Sequence, residues 1–316
     1  MISNQNICMR SNNLPLVSVI IPNYNHAQYL DKRIETVLNQ TYQNFEVIIL
    51  DDNSTDSSLD VLEKYRNHPK VAHIVINEQN SGSPFKQWDK GFNLANGELI
   101  WIAESDDYNE LIFLETLVES IVKKDCVLAF SSYVMFDNNG GIYVPPMHGI
   151  QYFSEKKFVS KWMSQENVVK NASGVIFKKE ALNYITKDYM NFKQCGDYMF
   201  WVMIAEQGRV AFVNKNLVYW RITATSVTGK NISSGIFAFE DKIVYDYINT
   251  RYHLPWHSQQ IVLANRFLNY KNNQYDSNEI KNAIFKVWGI KNRNVKIDAF
   301  LLTLFNKVRI HLGILL

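Results

Sequence analysis

The first third of the chain alternates between two apolar rhythms. Val17 to Ile21 is an unbroken apolar run rich in β-branched residues, which predicts a buried strand. Leu30, Ile34, Val37 and Leu38 then follow at the spacing of one helix face. Phe45 to Leu50 predicts a second buried strand. A polar cluster from Asp51 to Ser58, rich in helix-capping types, leads into Leu59, Leu62 and Tyr65 of a second helix. Val71 to Ile76 predicts a third strand. Phe85, Trp88, Phe92 and Ala95 mark a third helix face, with Asn96-Gly97 expected as its C-cap. Leu99 to Ala103 predicts a fourth strand that runs straight into Glu104-Ser105-Asp106-Asp107.

Strands alternating with helices imply right-handed crossovers and a mostly parallel α/β sheet. Ligands of such sheets bind beyond the carboxyl ends of the strands. The polar clusters Asn23-Tyr24-Asn25, Asp51 to Ser54 and Glu104 to Asp107 all follow strands, so one crevice is expected to hold all three. From Ser131 to Asp188 the pattern is less regular. Asn138 to Gly141 reads as a hairpin turn, Pro145-Pro146 interrupts any element, and Val175 to Phe177 reads as a strand. A helix is expected over Tyr198 to Glu206, and strands over Val210 to Val213 and Leu217 to Ile222. Beyond about Ile232 the pattern turns helical. Its end, Phe300 to Leu316, is apolar with Lys307, Arg309 and His311 interspersed, which suits a helix packed on the protein or one lying on a membrane surface.

Composition narrows the function classes. With a net charge of +2 over 316 residues, no global basic field points to nucleic acid. Cys8, Cys126 and Cys195 are widely spaced and odd in number, which argues against a disulfide framework and a zinc site and fits a reducing compartment. The polar start, Met1 to Asn13, is unlike a secretory signal, and no apolar run suffices to span a bilayer. A cytoplasmic protein is expected, with possible peripheral contact to the inner membrane face through the last helix.

The candidate chemistry is acidic. Asp106-Asp107 sits between a strand and a helix, where paired carboxylates repel one another unless a cation lies between them, and hard oxygen ligands suit Mg²⁺ or Mn²⁺. Helix capping is the plainer explanation of the pair taken alone. Asp52 is more acid than capping needs, and it could accept a hydrogen bond from a nucleotide base. Tyr24, one strand over, could stack on that base, a contact worth roughly 1–3 kcal/mol in nucleic-acid systems. Asp197, just before an apolar stretch, is either an N-cap or a general base. Arg221, after Tyr219-Trp220, either clamps a diphosphate or stacks on Trp220 at the surface.

The order of these segments resembles glycosyltransferase family 2, the inverting family with the GT-A fold. Val17 to Asn25 resembles its opening. Leu38-Asn39-Gln40-Thr41-Tyr42, Asp51 to Asp56, Asn80-Ser81-Gly82, Gly97-Glu98 with Glu104 to Asp107, and Gly196-Asp197 follow in the family's order. The resemblance implies a Rossmann-like GT-A domain over 1–231, with 14–130 for the nucleotide-sugar donor and 131–231 for the acceptor, and a helical extension over 232–316. It implies that Pro22 and Tyr24 line the base pocket, that Asp52 binds the base (UDP favoured), and that Lys86 lies near the nucleotide. Asp106 becomes the metal-side aspartate for Mn²⁺ or Mg²⁺, supported by Asp107 and Glu104. Asp197 becomes the catalytic base and Arg221 holds the diphosphate. The acceptor is expected to be a saccharide or a lipid-linked oligosaccharide of envelope polysaccharide synthesis.

The sequence departs from the family at three positions: Glu104 replaces the first DxD aspartate, Gly196 an acidic residue before the base, and Thr223 a histidine after Arg-Ile. Two rivals remain. A nucleotidyltransferase would show a Gly-rich basic loop after the first strand, where this chain has Pro22-Asn23-Tyr24-Asn25-His26. A non-catalytic nucleotide-sugar-binding partner protein that kept the fold is the other. A dinucleotide-dependent dehydrogenase lacks support, since no GxGxxG follows the first strand.

Overall fold

The computed structural model describes residues 14–137, 140–142, 149–222 and 233–290. Strand β1 (Val17–Asn23) is buried along its whole length, as an unbroken apolar run requires. It lies parallel between β2 (Phe45–Asp51) and β4 (Leu99–Ile102), and β3 (Val71–Ile76) adds in parallel to β2. Pro22 is tolerated inside this central strand because β4 pairs only as far as Ile20–Ile102. The missing N–H therefore has no strand to serve on that side. Helices α1 (Ala27–Leu38), α2 (Ser58–Glu63) and α3 (Pro84–Leu94) make the crossovers.

The second half is mixed. The remaining strands are β5 (Tyr108–Asn109), β6 (Cys126–Asp137), β7 (Gly140–Ile142), β8 (Ile150–Phe153), β9 (Val175–Lys178) and β10 (Arg209–Arg221). They complete a ten-stranded sheet whose main path runs β3-β2-β1-β4-β9-β6-β10-β5. β9 is antiparallel to both β4 and β6, whereas β10 runs parallel to β6. The expected hairpin forms between β6 and β7, with Asp137 paired to Gly140. The two strands expected over 210–222 are one strand, interrupted by register shifts between Val213 and Val218. Pro145-Pro146 lies outside the described residues.

Alternate residues of β1 feed two cores. Val19 and Ile21 join α1 and α4 (Phe113–Lys124) on one face of the sheet. Ile20 joins α3, α6 (Gly196–Ala205) and the later helices on the other. Between these lie α5 (Glu155–Lys157), which continues into a π-helical turn at Phe158–Met163, and three short 3₁₀ turns. Helices α7 (Ile236–Tyr252), α8 (Trp256–Lys271) and α9 (Asn278–Val287) confirm the helical character beyond Ile232. Their Val244, Ile248, Val262 and Ile284 belong to the same core as α6.

Asn96-Gly97 is not the C-cap expected. α3 ends at Leu94, and Gly97 does not adopt a positive φ. A Cβ there would meet the Leu16 carbonyl oxygen and the Ser18 amide at 2.6 Å, so glycine is required by the approach of the chain entering β4 to β1. Among the described residues, no helix is long and apolar enough to cross a membrane. The tail 300–316 and Cys8 lie outside them, and Cys126 and Cys195 are free and buried.

Candidate active site

The carboxyl ends of β1, β2 and β4 open on one side of the sheet, and the loops after them are stitched together. Two adjacent aspartates divide the work. Asp51 Oδ2 accepts from Asn23 Nδ2 at 2.7 Å and from the Ser54 hydroxyl at 2.7 Å, which ties the β2 turn to β1. Asp52 faces the other way. Its Oδ1 accepts from Asn77 Nδ2 (2.6 Å), the Ser81 amide (2.8 Å) and Gln87 Nε2 (2.8 Å), and among the described residues its Oδ2 accepts only from the Ser81 hydroxyl (2.8 Å). Asn25 and Asn53 both adopt left-handed backbone here. The Asn25 side chain accepts from the Thr55 amide at 2.7 Å, which joins the β1 and β2 loops. Asp56 accepts from the Ala27 and Ser58 amides, both at 2.9 Å, and so serves the starts of α1 and α2. Tyr24 stands clear of this network, 47% exposed. Lys86 is exposed on the first turn of α3 and donates to the Ser81 carbonyl at 3.0 Å. Pro22 is buried within β1.

The three acids after β4 have different surroundings. Asp107 is buried. Its Oδ1 accepts from the Arg221 amide (2.9 Å), and its Oδ2 from Asn171 Nδ2 and the Ser173 hydroxyl (both 2.8 Å). Glu104 Oε1 accepts from Trp88 Nε1 at 3.1 Å. Burial, then the neighbouring charges of Asp106 and Asp107, pushes its carboxyl up to about 8. Asp106 is partly exposed, and among the described residues its carboxylate accepts no side-chain hydrogen bond. Burial raises its pKa too, against the pull of Arg33 and Arg221.

A counter-charge is built in beneath them. Arg33 is fully buried on α1, donating to the Glu104 carbonyl (2.8 Å), Asn109 Oδ1 (2.7 Å) and the Ser173 hydroxyl (3.2 Å). Burial brings its pKa down to about 10, and the three acids oppose that. The sequence carried a signal for it, since position 33 falls within the apolar face of Leu30, Ile34 and Val37. Arg221 lies on the crevice side. Its Nε donates to the Asp106 carbonyl at 3.0 Å, and its guanidinium lies 4.1 Å from the Tyr29 ring centroid and 4.4 Å from that of Phe136. Trp220 packs on Tyr133 instead, so the surface stack on Trp220 is not formed. His26 Nδ1 lies 2.8 Å from the Ser105 hydroxyl, and burial lowers its pKa.

Asp197 is in the first turn of α6, with its Oδ2 accepting from Asn167 Nδ2 at 3.1 Å. Burial pushes its carboxyl up to about 6, against hydrogen bonds from the backbone and Asn167. The segment 167–173 joins the two acidic centres, since Asn167 holds Asp197 while Asn171 and Ser173 hold Asp107. Helix α3 braces the same crevice. Gln87 bonds Asp52, Trp88 bonds Glu104, and the Phe85 ring fills the place a Cβ on Gly196 would take, at 2.4 Å. Gly196 thus stands where an acidic side chain would not fit. Asn167, Asn171 and Ser173 gave no sequence signal, because their spacing matches no motif. Thr223 lies outside the described residues.

A mixed α/β sheet with helices packed on both faces is the GT-A fold. The same fold is found in S. aureus TarS 1–349 solved with UDP-GlcNAc, at a TM-score of 0.68 and 20% identity over 86% of this chain and 80% of that one. Residues 18–186, more than half of the chain, match the sequence profile of glycosyl transferase family 2. The chain belongs to that family and is a glycosyltransferase. It is 28% identical to glycosyltransferase GlyG of Streptococcus pneumoniae, over 67% of this chain and 72% of that protein. It is 27% identical to TuaG of Bacillus subtilis, named for teichuronic acid biosynthesis, over 68% of this chain and 82% of that protein.

Proposed function

We propose that the protein moves a hexosyl or N-acetylhexosaminyl group from a UDP-sugar to a hydroxyl of a saccharide or lipid-linked oligosaccharide in envelope polysaccharide synthesis, inverting the anomeric carbon. Residues 14–130 hold the donor, 131–231 the acceptor, and 232–316 form the extension. The observation that carries this reading is Asp197, a carboxylate raised to about 6 and joined through 167–173 to the acidic loop. A base is most effective with a pKa near the working pH, and at neutrality this one is ionised. The teichuronic acid biosynthesis for which TuaG is named and the UDP-GlcNAc complex of TarS support the envelope setting and the donor class.

Asp197 takes the proton of the acceptor hydroxyl through Oδ1, while Asn167 steadies Oδ2. The acceptor oxygen attacks the anomeric carbon as the bond to the diphosphate breaks, and Arg221 offsets charge on the departing UDP. Tyr24 stacks on the base beside Pro22. Asp52 Oδ2, which already accepts from the Ser81 hydroxyl, accepts from the base N–H as well. Lys86, which donates to the Ser81 carbonyl from the first turn of α3, lies beside the nucleotide.

The donor set fits a divalent ion in one respect only. Asp106 offers an open hard oxygen for Mn²⁺ or Mg²⁺, whereas Asp107 and Glu104 are engaged in holding the loop. When bound, the ion supplies positive charge to the diphosphate. Calorimetric titration with UDP, dTDP, GDP and CDP, each with and without Mn²⁺, tests the reading. UDP is expected to bind most tightly, and Mn²⁺ to strengthen it by at least about tenfold, or 1.4 kcal/mol. Asp106→Ala is expected to remove that gain. Equal UDP affinity with and without Mn²⁺ in both proteins rejects the metal role, and no binding of any nucleotide rejects the donor site.

A further inference from the structure

The head of α6 is capped from outside its own segment. Helices begin with unpaired amides, and the Cys195 side chain, at the N-cap position, accepts from none of them. Glu240 of α7 supplies the acceptor. Its Oε1 accepts from the Lys193 amide at 2.8 Å, and its Oε2 from the Gln194 and Cys195 amides at 2.7 and 2.9 Å. The C-terminal helices also hold the opposite wall of Asp197. Arg266 of α8 donates to the Gln165 carbonyl, two residues before Asn167, and Asn265 Nδ2 donates to Gln165 Oε1 at 3.1 Å. Arg266 is itself fixed by a buried ion pair with Asp241 of α7, 2.5 Å from Nε to Oδ2.

We propose that Glu240 is a positioning residue for the catalytic base, fixing the start of α6 so that the Asp197 carboxylate stays turned to Asn167 and the acceptor. This rests on the reading of Asp197 as the base. The physical argument is anchorage. The Glu240 carboxylate holds three successive amides, Lys193 to Cys195, directly before the turn that carries Asp197, and charge-assisted bonds of this kind are strong. The backbone that aims the Asp197 side chain is thereby fixed against α7, while its carboxylate keeps its bond to Asn167. The extension from 232, which carries no motif, thereby becomes part of the catalytic apparatus.

The test uses the full chain with Glu240→Ala and Glu240→Gln, alone and combined with Asp197→Asn. UDP release from UDP-GlcNAc and UDP-glucose gives turnover, calorimetry gives UDP affinity, and amide hydrogen exchange reports on 193–195. Glu240→Ala is expected to speed exchange at 193–195 and to lower turnover about ten- to a hundredfold, as misplaced catalytic groups do, with UDP affinity held within about twofold. Glu240→Gln, which keeps one acceptor oxygen and the side-chain shape, is expected to fall between. In the Asp197→Asn background the loss is expected to shrink below about twofold, because residues acting through one another are not additive. Wild-type turnover in both Glu240 variants, or an undiminished loss in the Asp197→Asn background, overturns the proposal. Full turnover in Asp197→Asn alone is a separate failure, of the base assignment itself.

Discussion

A carboxylate in the first turn of a helix usually stays ionised, because backbone amides favour its charge. Asp197 is ionised at neutrality as well, but burial outweighs its hydrogen bonds and raises its pKa to about 6. A base must be ionised to accept a proton, so turnover is expected to climb as pH rises through about 6 and to level off above it. A pH–rate profile of UDP release checks this, and a limb centred near the ordinary aspartate value of about 4 would assign it to another group. Asp197→Asn is expected to cut turnover by about a hundredfold or more, as loss of a general base does, while UDP still binds. The acids after β4 carry the opposite lesson. Asp106 and Asp107 are neighbours in sequence, yet the Asp107 carboxylate accepts three bonds within the protein while that of Asp106, partly exposed, accepts none from a side chain among the described residues.

Helix α3 shows how one element serves core and crevice together. Its apolar face packs in the core through Trp88 and Phe92, while Gln87 and the Trp88 indole N–H hold Asp52 and Glu104. Phe85 presses against Gly196 at the head of α6. Displacing α3 would therefore disturb the surroundings of Asp52, Glu104 and Asp197 at once. The spacing of β1 and the chain entering β4 depends in turn on Gly97. Gly97→Ala places a methyl 2.6 Å from backbone atoms of Leu16 and Ser18, where no side chain can swing aside. A destabilisation of about 1–3 kcal/mol is expected, the range of an overpacked core. Thermal or urea unfolding measures it, and an unchanged midpoint would show that the strands separate freely.

Over the whole molecule, the C-terminal helices pack into the same core as α3 and α6, and Glu240 and Arg266 reach segments close to Asp197. Beyond them, residues 300–316 combine apolar positions with Lys307, Arg309 and His311. This composition suits the surface of an anionic membrane, where an acceptor on a lipid carrier would be met. The full chain is expected to sediment with anionic vesicles, and a chain ending at Ala299 to remain in the supernatant. Absence of the intact protein from the vesicle pellet would remove the membrane role.

The periodicity of apolar residues determined β1 to β4 and the helices between them, because a central parallel strand must be apolar on both faces and a crossover helix on one. The same rule placed Asp52 and Asp106 beside one crevice, since parallel strands all end on one side. Asn167, Asn171, Ser173 and Glu240 had no such rule. They act by reaching a carboxylate or an amide distant in sequence, and no local spacing encodes that. Arg33 stood between, visible as a charge on an apolar face but without a partner until Glu104, Asn109 and Ser173 closed around it. Which of the adjacent acids would be consumed by the fold and which left open was decided only in three dimensions, because it depends on the donors that packing delivers and not on the acids themselves.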